Sequence, residues 1–258
     1  MTHRSCFDAR LIVLRHPSNT NPTRTILPDE HSRDVTIAAA SKLERDRLIG
    51  DVFFYVQIFS ALGFGVTQGI LMMTTTEGVS VTWLLFWEVF LLINLSLSIR
   101  AHQVQPSRIT RQTVVTYAIW TIMILLDTAI YAAQDSVIWS AVDTWTAAIA
   151  LTGIGVTVFI GSRRKLAVTD PLVRGYLAVF FKGVPQLTLA YNIVVVGGSG
   201  VSVFGILTGH ITICSRLGQI LMSLREAGWD RNRRGSAISE IANEGSWIVV
   251  TIAWFVVL

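Results

Sequence analysis

Of 258 residues, 52% are hydrophobic and only 15% charged, whereas soluble domains carry about 25% charged residues. Together with a mean hydropathy of +0.54, this excludes an ordinary soluble domain and describes an all-α membrane protein. The formal charge of +4 reports topology and gives no reason to expect a nucleic-acid partner.

Residues 1–47 are rich in Thr, Ser, Asn, Pro and Arg and are expected to form a polar, flexible N-terminal arm. No apolar run in it is long enough for a secretory signal. Its first 25 residues hold four arginines and one acid, a composition that also fits a mitochondrial presequence. Residues 36–48, "TIAAASKLERDRL", read as a short amphipathic helix at the membrane surface. Apolar runs follow at 52–73, 79–99, 112–134, 137–162, 171–196, 201–223 and 236–258. Each is near the roughly 20 residues that cross a bilayer of about 30 Å. The last is marginal, because its clearly apolar part, "GSWIVVTIAWFVVL", has 14 residues. Cys6 in the arm and Cys214 in the sixth run suggest no disulfide.

Fifteen lysines and arginines fall at alternate ends of these runs, among them Arg47, Arg108, Arg164 and Arg234, while "TTTEG", "AQDS" and "GGSG" have none. Cationic residues accumulate on the cytoplasmic side. The count predicts a multi-pass protein, in the cell membrane or an organellar one, with a cytoplasmic N-terminus.

The chain also copies itself. "GVTQ" (65–68) lies over "GVPQ" (183–186), "EGVSV" (77–81) over "SGVSV" (199–203), and "VVTYA" (114–118) over "VVTIA" (249–253), at separations of 118, 122 and 135 residues. This predicts seven transmembrane helices in a 3+1+3 layout. After the arm come a first three-helix repeat at 48–134, a linker helix at 135–165 and a second repeat at 166–258. An odd linker makes the repeats parallel. On the 135-residue match, the seventh helix ends about ten residues short of the third.

Within that frame several polar residues stand out. Pro185 should kink its helix and free the carbonyl of Phe181; with Gly65 and Gly183 it forms the expected hinge. Counted along the helices, Lys182, Glu88, His210 and Trp120 fall near mid-membrane, where ionisable groups mark pathways, proton relays or buried pairs. Glu88 and His210 share one repeat position, as do Asn94 and Arg216. Proton coupling is assigned to Glu88, His210, Lys182 and Asp127, the alternative for Glu88 and Lys182 being a structural ion pair. Asp127 and Asp143, nearer the outer face, read either as an acidic vestibule or as groups reaching interfacial water. Gln68 and Gln186 are repeat-equivalent amides suited to a polar solute; with Trp120 and Asn192 they form the expected substrate site. Trp83, Trp87, Trp139, Trp145 and Trp247 read as belt or packing residues.

A Pro-Gln pair late in the first helix of a repeat, then Gly-hydrophobic-Ser opening the second, doubled around one linker, resembles the PQ-loop superfamily, which includes the SWEET sugar carriers. The first repeat has Thr67 in place of the proline. The resemblance implies a transporter of a small polar solute, such as a sugar or amino acid, working by alternating access with or without protons. The receptor branches of the superfamily imply the alternative, binding of a peptide or small ligand without transport. An enzyme is not expected: no metal-ligand cluster, phosphate-cradling loop or nucleophile with an identifiable base is legible. Neither a cofactor nor a metal is called for. The expected partners are the solute, the lipid bilayer and protons, with homo-oligomerisation left open.

Overall fold

A computed structural model describes residues 30–134 and 139–257; the expectations for residues 1–29, including Cys6 and the presequence reading, lie outside them. The chain separates into two compact units, Met1–Arg45 and Asp46–Leu258. In the first, residues 30–45 are helical. Everything below concerns the second.

The described residues form helices and turns only: α1 (Glu30–Met72), α2 (Val81–Val104), α3 (Arg108–Ala132), α4 (Ala141–Arg163), α5 (Pro171–Ala178), a π turn (Val179–Gly183), α6 (Val184–Val196), α7 (Val203–Ala227) and α8 (Arg231–Val257). Among the described residues six segments are long and apolar enough to cross a membrane: Arg47–Met72, α2, α3, α4, the run Pro171–Val196 and α8. This is a multi-pass helical membrane protein. Large apolar side chains such as Phe59, Trp145, Ile252 and Phe255 lie exposed on its outside, where lipid is their natural solvent. α7 is 25 residues long but carries His210, Arg216 and Gln219 and is not among the six.

The helix starts are written locally. Ser80 caps α2 by accepting from the Trp83 N–H. Ser107 with Thr110, and Ser140 with Asp143, form reciprocal capping boxes on α3 and α4, each satisfying N–H groups that a helix end leaves free. Asp170 caps α5, with Pro171 in the first turn, where its missing N–H is harmless.

Two features of the second half differ from the sequence reading: the start of α8 and the form of the helix at Pro185. α8 begins at Arg231, not 236, and has 27 residues. α7 starts 122 residues after α2, and α8 starts 123 residues after α3. The first offset is that of the "GVSV" match. The second puts the "VVTYA" and "VVTIA" match, at 135, about three turns out of register, so α8 is not shorter than α3. At Pro185 the helix widens where a kink was expected. The Val184 N–H bonds back to the Val179 carbonyl, five residues earlier. A proline cannot donate to the carbonyl four residues before it, and a π turn accommodates the missing bond.

Close backbone approach holds the helices together. α5 packs on α8 at Gly175 and Gly235, where a methyl group on Gly235 would land on the Pro171 carbonyl. Small residues permit this kind of contact between membrane helices. Gly235→Ala is therefore expected to destabilise the protein by about 1–3 kcal/mol. Gly245→Ala, where an added carbon meets nothing within 4 Å, should leave the melting temperature in detergent unchanged or raise it. Equal melting of the two variants would count against this contact.

Candidate functional site

A cavity of about 510 Å³ opens at the end of the bundle where α2 finishes and α3, α5 and α8 begin. Its walls are polar. Arg174 donates to the Asn94 side chain, and Arg216 lies 3.3 Å from Glu240 with its guanidinium 5.1 Å from the Tyr117 ring centre. This is the cation-rich end: Arg233 lines the cavity, Arg231 pairs with Asp170 at 3.2 Å, and Arg108 pairs with Asp51.

At its deep end the cavity meets a chamber of about 40 Å³. Phe90, Tyr117, Arg216 and Glu240 line both. Beyond them the chamber is walled by Trp87, Trp120, Trp247, Lys182, Gln186 and Asn243. The Lys182 ammonium lies 5.1 Å from the Phe90 ring centre. Gln186 donates to Asn243 Oδ1 at 3.0 Å and accepts from Ser246.

Aromatic rings close the chamber. Trp83 and Trp247 stack with centroids 6.4 Å apart, Phe64 meets Trp87 edge-on at 5.2 Å, and Trp87 lies 5.5 Å from Trp120. Trp83, Trp120 and Trp247 are buried and Trp87 packs partly buried against them, so of the two alternatives for Trp83, Trp87 and Trp247 these rings take packing. Trp139 and Trp145 are exposed, as belt residues are.

The opposite end is latched by its turns. Gln68 Nε2 donates to the Gly200 carbonyl at 2.7 Å, and the Ser202 N–H donates to Gln68 Oε1 at 3.0 Å. The Gly200 N–H reaches the Glu77 carbonyl at 3.0 Å, Ser199 donates to the Glu77 carboxylate, and Tyr131 donates to the Val79 carbonyl at 3.1 Å. Asp143 is 2% exposed and accepts from Ser80 and Thr82 at 3.0 and 2.9 Å. It ties α4 to the start of α2. Asp127, 1% exposed, lies against Gly69. Neither lines an open acidic vestibule.

Of the residues expected from sequence, Trp120, Lys182 and Gln186 meet in the chamber, with Gly183 and Pro185 buried beside them. Gln68, Asn192, Asp127, Glu88 and His210 do not line it. Gly65 serves close packing, an added carbon there lying 2.6 Å from Met123. Among the described residues Lys182 and Glu88 form no ion pair. Both carboxylate oxygens of Glu88 are buried without a hydrogen bond. His210 holds Glu244 on Nδ1 at 2.7 Å and Thr251 on Nε2 at 2.8 Å.

Chain comparison brought no relative. Neither family models, curated proteins nor solved structures match it. The resemblance to PQ-loop proteins rests on this chain's own residues.

Sequence reasoning noted Arg216 only as the repeat partner of Asn94 and assigned no role to it, to Glu240 or to Asn243. A signal was present. Ser236, Ser239, Glu240, Asn243 and Ser246 recur at helical spacing through the marginal start of the last run, which is the mark of a polar face turned inward.

Proposed function

We propose that this protein is a PQ-loop-type transporter that moves a small polar solute across a membrane by alternating access. The observation that carries this reading is the polar cavity at one end of the bundle, ending at a chamber in its middle, with the other end latched by Gln68 and the Glu77 turn. A solute pathway in one of its two access states has that form. The 3+1+3 layout of seven helices belongs to the same proposal, with Pro171–Val196 counted as one span and α7 as a span whose polar residues face the cavity. The 122- and 123-residue offsets support it. So do the pairings, since α1 meets α3 at Gly65 as α6 meets α8, and α1 meets α7 at Gly63 as α2 meets α6.

In this reading Trp120, Gln186 and Asn243 contact the solute, while Gln68 belongs to the latch. The positive-inside rule puts the cavity mouth and the N-terminus on the cytoplasmic side. Proton coupling, if present, runs through Glu88, a buried carboxyl without a partner, or through His210 between Glu244 and Thr251.

Protein reconstituted in liposomes is expected to take up at least one of radiolabelled lactate, alanine and glucose faster than protein-free vesicles, and a pH gradient tests coupling. With Cys6 and Cys214 changed to Ser, Ser239→Cys should react with an impermeant maleimide from the side of the cavity mouth, and Thr75→Cys from the other. Saturable binding without any uptake would sink transport in favour of a receptor. Labelling of both positions from one side would sink the topology.

A further inference from the structure

We infer that the solute carries a carboxylate and that Lys182 is its counter-charge, an inference that rests on reading the chamber and cavity as the solute site. Three ionised side chains act on one another here, and their charges do not balance. Arg216 and Lys182 are cations, and Glu240, paired with Arg216 at 3.3 Å, is the one carboxylate that lines the chamber with them. Glu240 points one oxygen at Arg216, while its other oxygen has no hydrogen bond. Lys182 is 6% exposed. Among the described residues it has no ion pair, and the Phe90 ring is its contact. One carboxylate set between two cations leaves a buried ammonium incompletely balanced, which is costly, and among the side chains that line the chamber the surplus is one positive charge.

The surrounding groups define what offsets it. The chamber, at about 40 Å³, has room for a few water-sized groups, each needing roughly 10–15 Å³. A small charged group fits there, whereas the body of a sugar-sized solute has room only in the cavity. Lys182 donates there and the Gln186 and Asn243 amides stand beside it, while the Trp87, Trp120 and Trp247 rings keep out bulk water, which strengthens the charge contact. The rest of the solute extends past Phe90 and Tyr117 into the 510 Å³ cavity. A monoanionic carboxylate matches the single surplus charge; phosphate, between singly and doubly charged near neutral pH, overshoots it.

Three tryptophans lining the chamber, Trp87, Trp120 and Trp247, make the purified protein its own reporter. Fluorescence titrations in detergent would compare lactate with lactamide, its uncharged isostere, and with inorganic phosphate. Lactate should bind at least tenfold more tightly than either. Lys182→Gln should abolish that preference, whereas Lys182→Arg should keep it within a few-fold. Lactate and lactamide binding alike to the unaltered protein would overturn the inference without any variant having to fold, and tighter binding of phosphate would overturn the carboxylate assignment. Lys182-dependent lactate binding with no uptake in liposomes would leave the inference standing and remove the transporter. Uptake of glucose with no binding of lactate would do the reverse.

Discussion

Glu240→Gln is expected to be the most damaging single substitution in the bundle. Its carboxylate pairs with Arg216 and is the one carboxylate lining the chamber beside Lys182, and the glutamine amide, of nearly the same shape, removes the charge and little else. Arg216 keeps some exposure to the cavity, at 21%. Lys182 keeps almost none. Breaking a buried pair by deleting one partner costs about 3–5 kcal/mol, because the other charge stays behind. Whole domains are stable by only about 5–15 kcal/mol, so the loss should show as a fall in the monodisperse fraction on size exclusion and a much lower melting temperature. Pairing Glu240→Gln with Arg216→Met should recover most of that loss, since the charge surplus returns to one and the cation–π contact with Tyr117 is a smaller loss. A single variant that melts like the unaltered protein would mean that water in the cavity, and not Glu240, balances the two cations.

How much of this was legible in the sequence depends on which solvent each residue faces. α2, α3 and α4 face lipid over much of their surface, so composition alone delimits them within a few residues. α8 is different. Its first half, "RNRRGSAISEIANEGS", is polar because it walls a cavity, and hydropathy reads such a stretch as loop. Residues 231–235 were set outside the helix for that reason, and Glu240 and Asn243 were undervalued with them. α7 has the same character at Arg216 and Gln219. The repeat was a good guide to equivalence and a poor guide to environment. Gln68 and Gln186 are partners in sequence, yet one amide is spent on the Gly200 turn and the other faces the chamber. Two copies of one motif differ in this way because the bundle is open at one end and latched at the other, a global asymmetry that no local pattern encodes. The tryptophans were left between belt and packing for a related reason. Trp83 and Trp87 lie near the end of a span by count, where a belt is expected, but they turn inward against Trp247 and Trp120.

Pro185→Ala is expected to slow transport without weakening the protein. With proline present, the Phe181 carbonyl has no donor four residues on, and the Val184 N–H reaches back to Val179. The span is thereby divided, at Lys182, into a lower half that walls the cavity and an upper half that leads to the latched turn. Alternating access requires those halves to move in opposite senses, and a π turn next to a proline is a natural place for the backbone to absorb that change. Alanine supplies the missing N–H. One added hydrogen bond is worth about 1 kcal/mol, and if the moving state must break it, the rate falls roughly fivefold. The melting temperature should hold or rise, because the bond also stabilises the resting state. Affinity should change far less than rate, since the proline ring contributes no donor or acceptor to the chamber. The measurement is the initial uptake rate and half-saturation of whichever panel solute the unaltered protein carries. Unaltered protein and Pro185→Ala transporting at one rate would end the hinge reading, and the π turn would then stand as a packing feature that sets where Lys182 points.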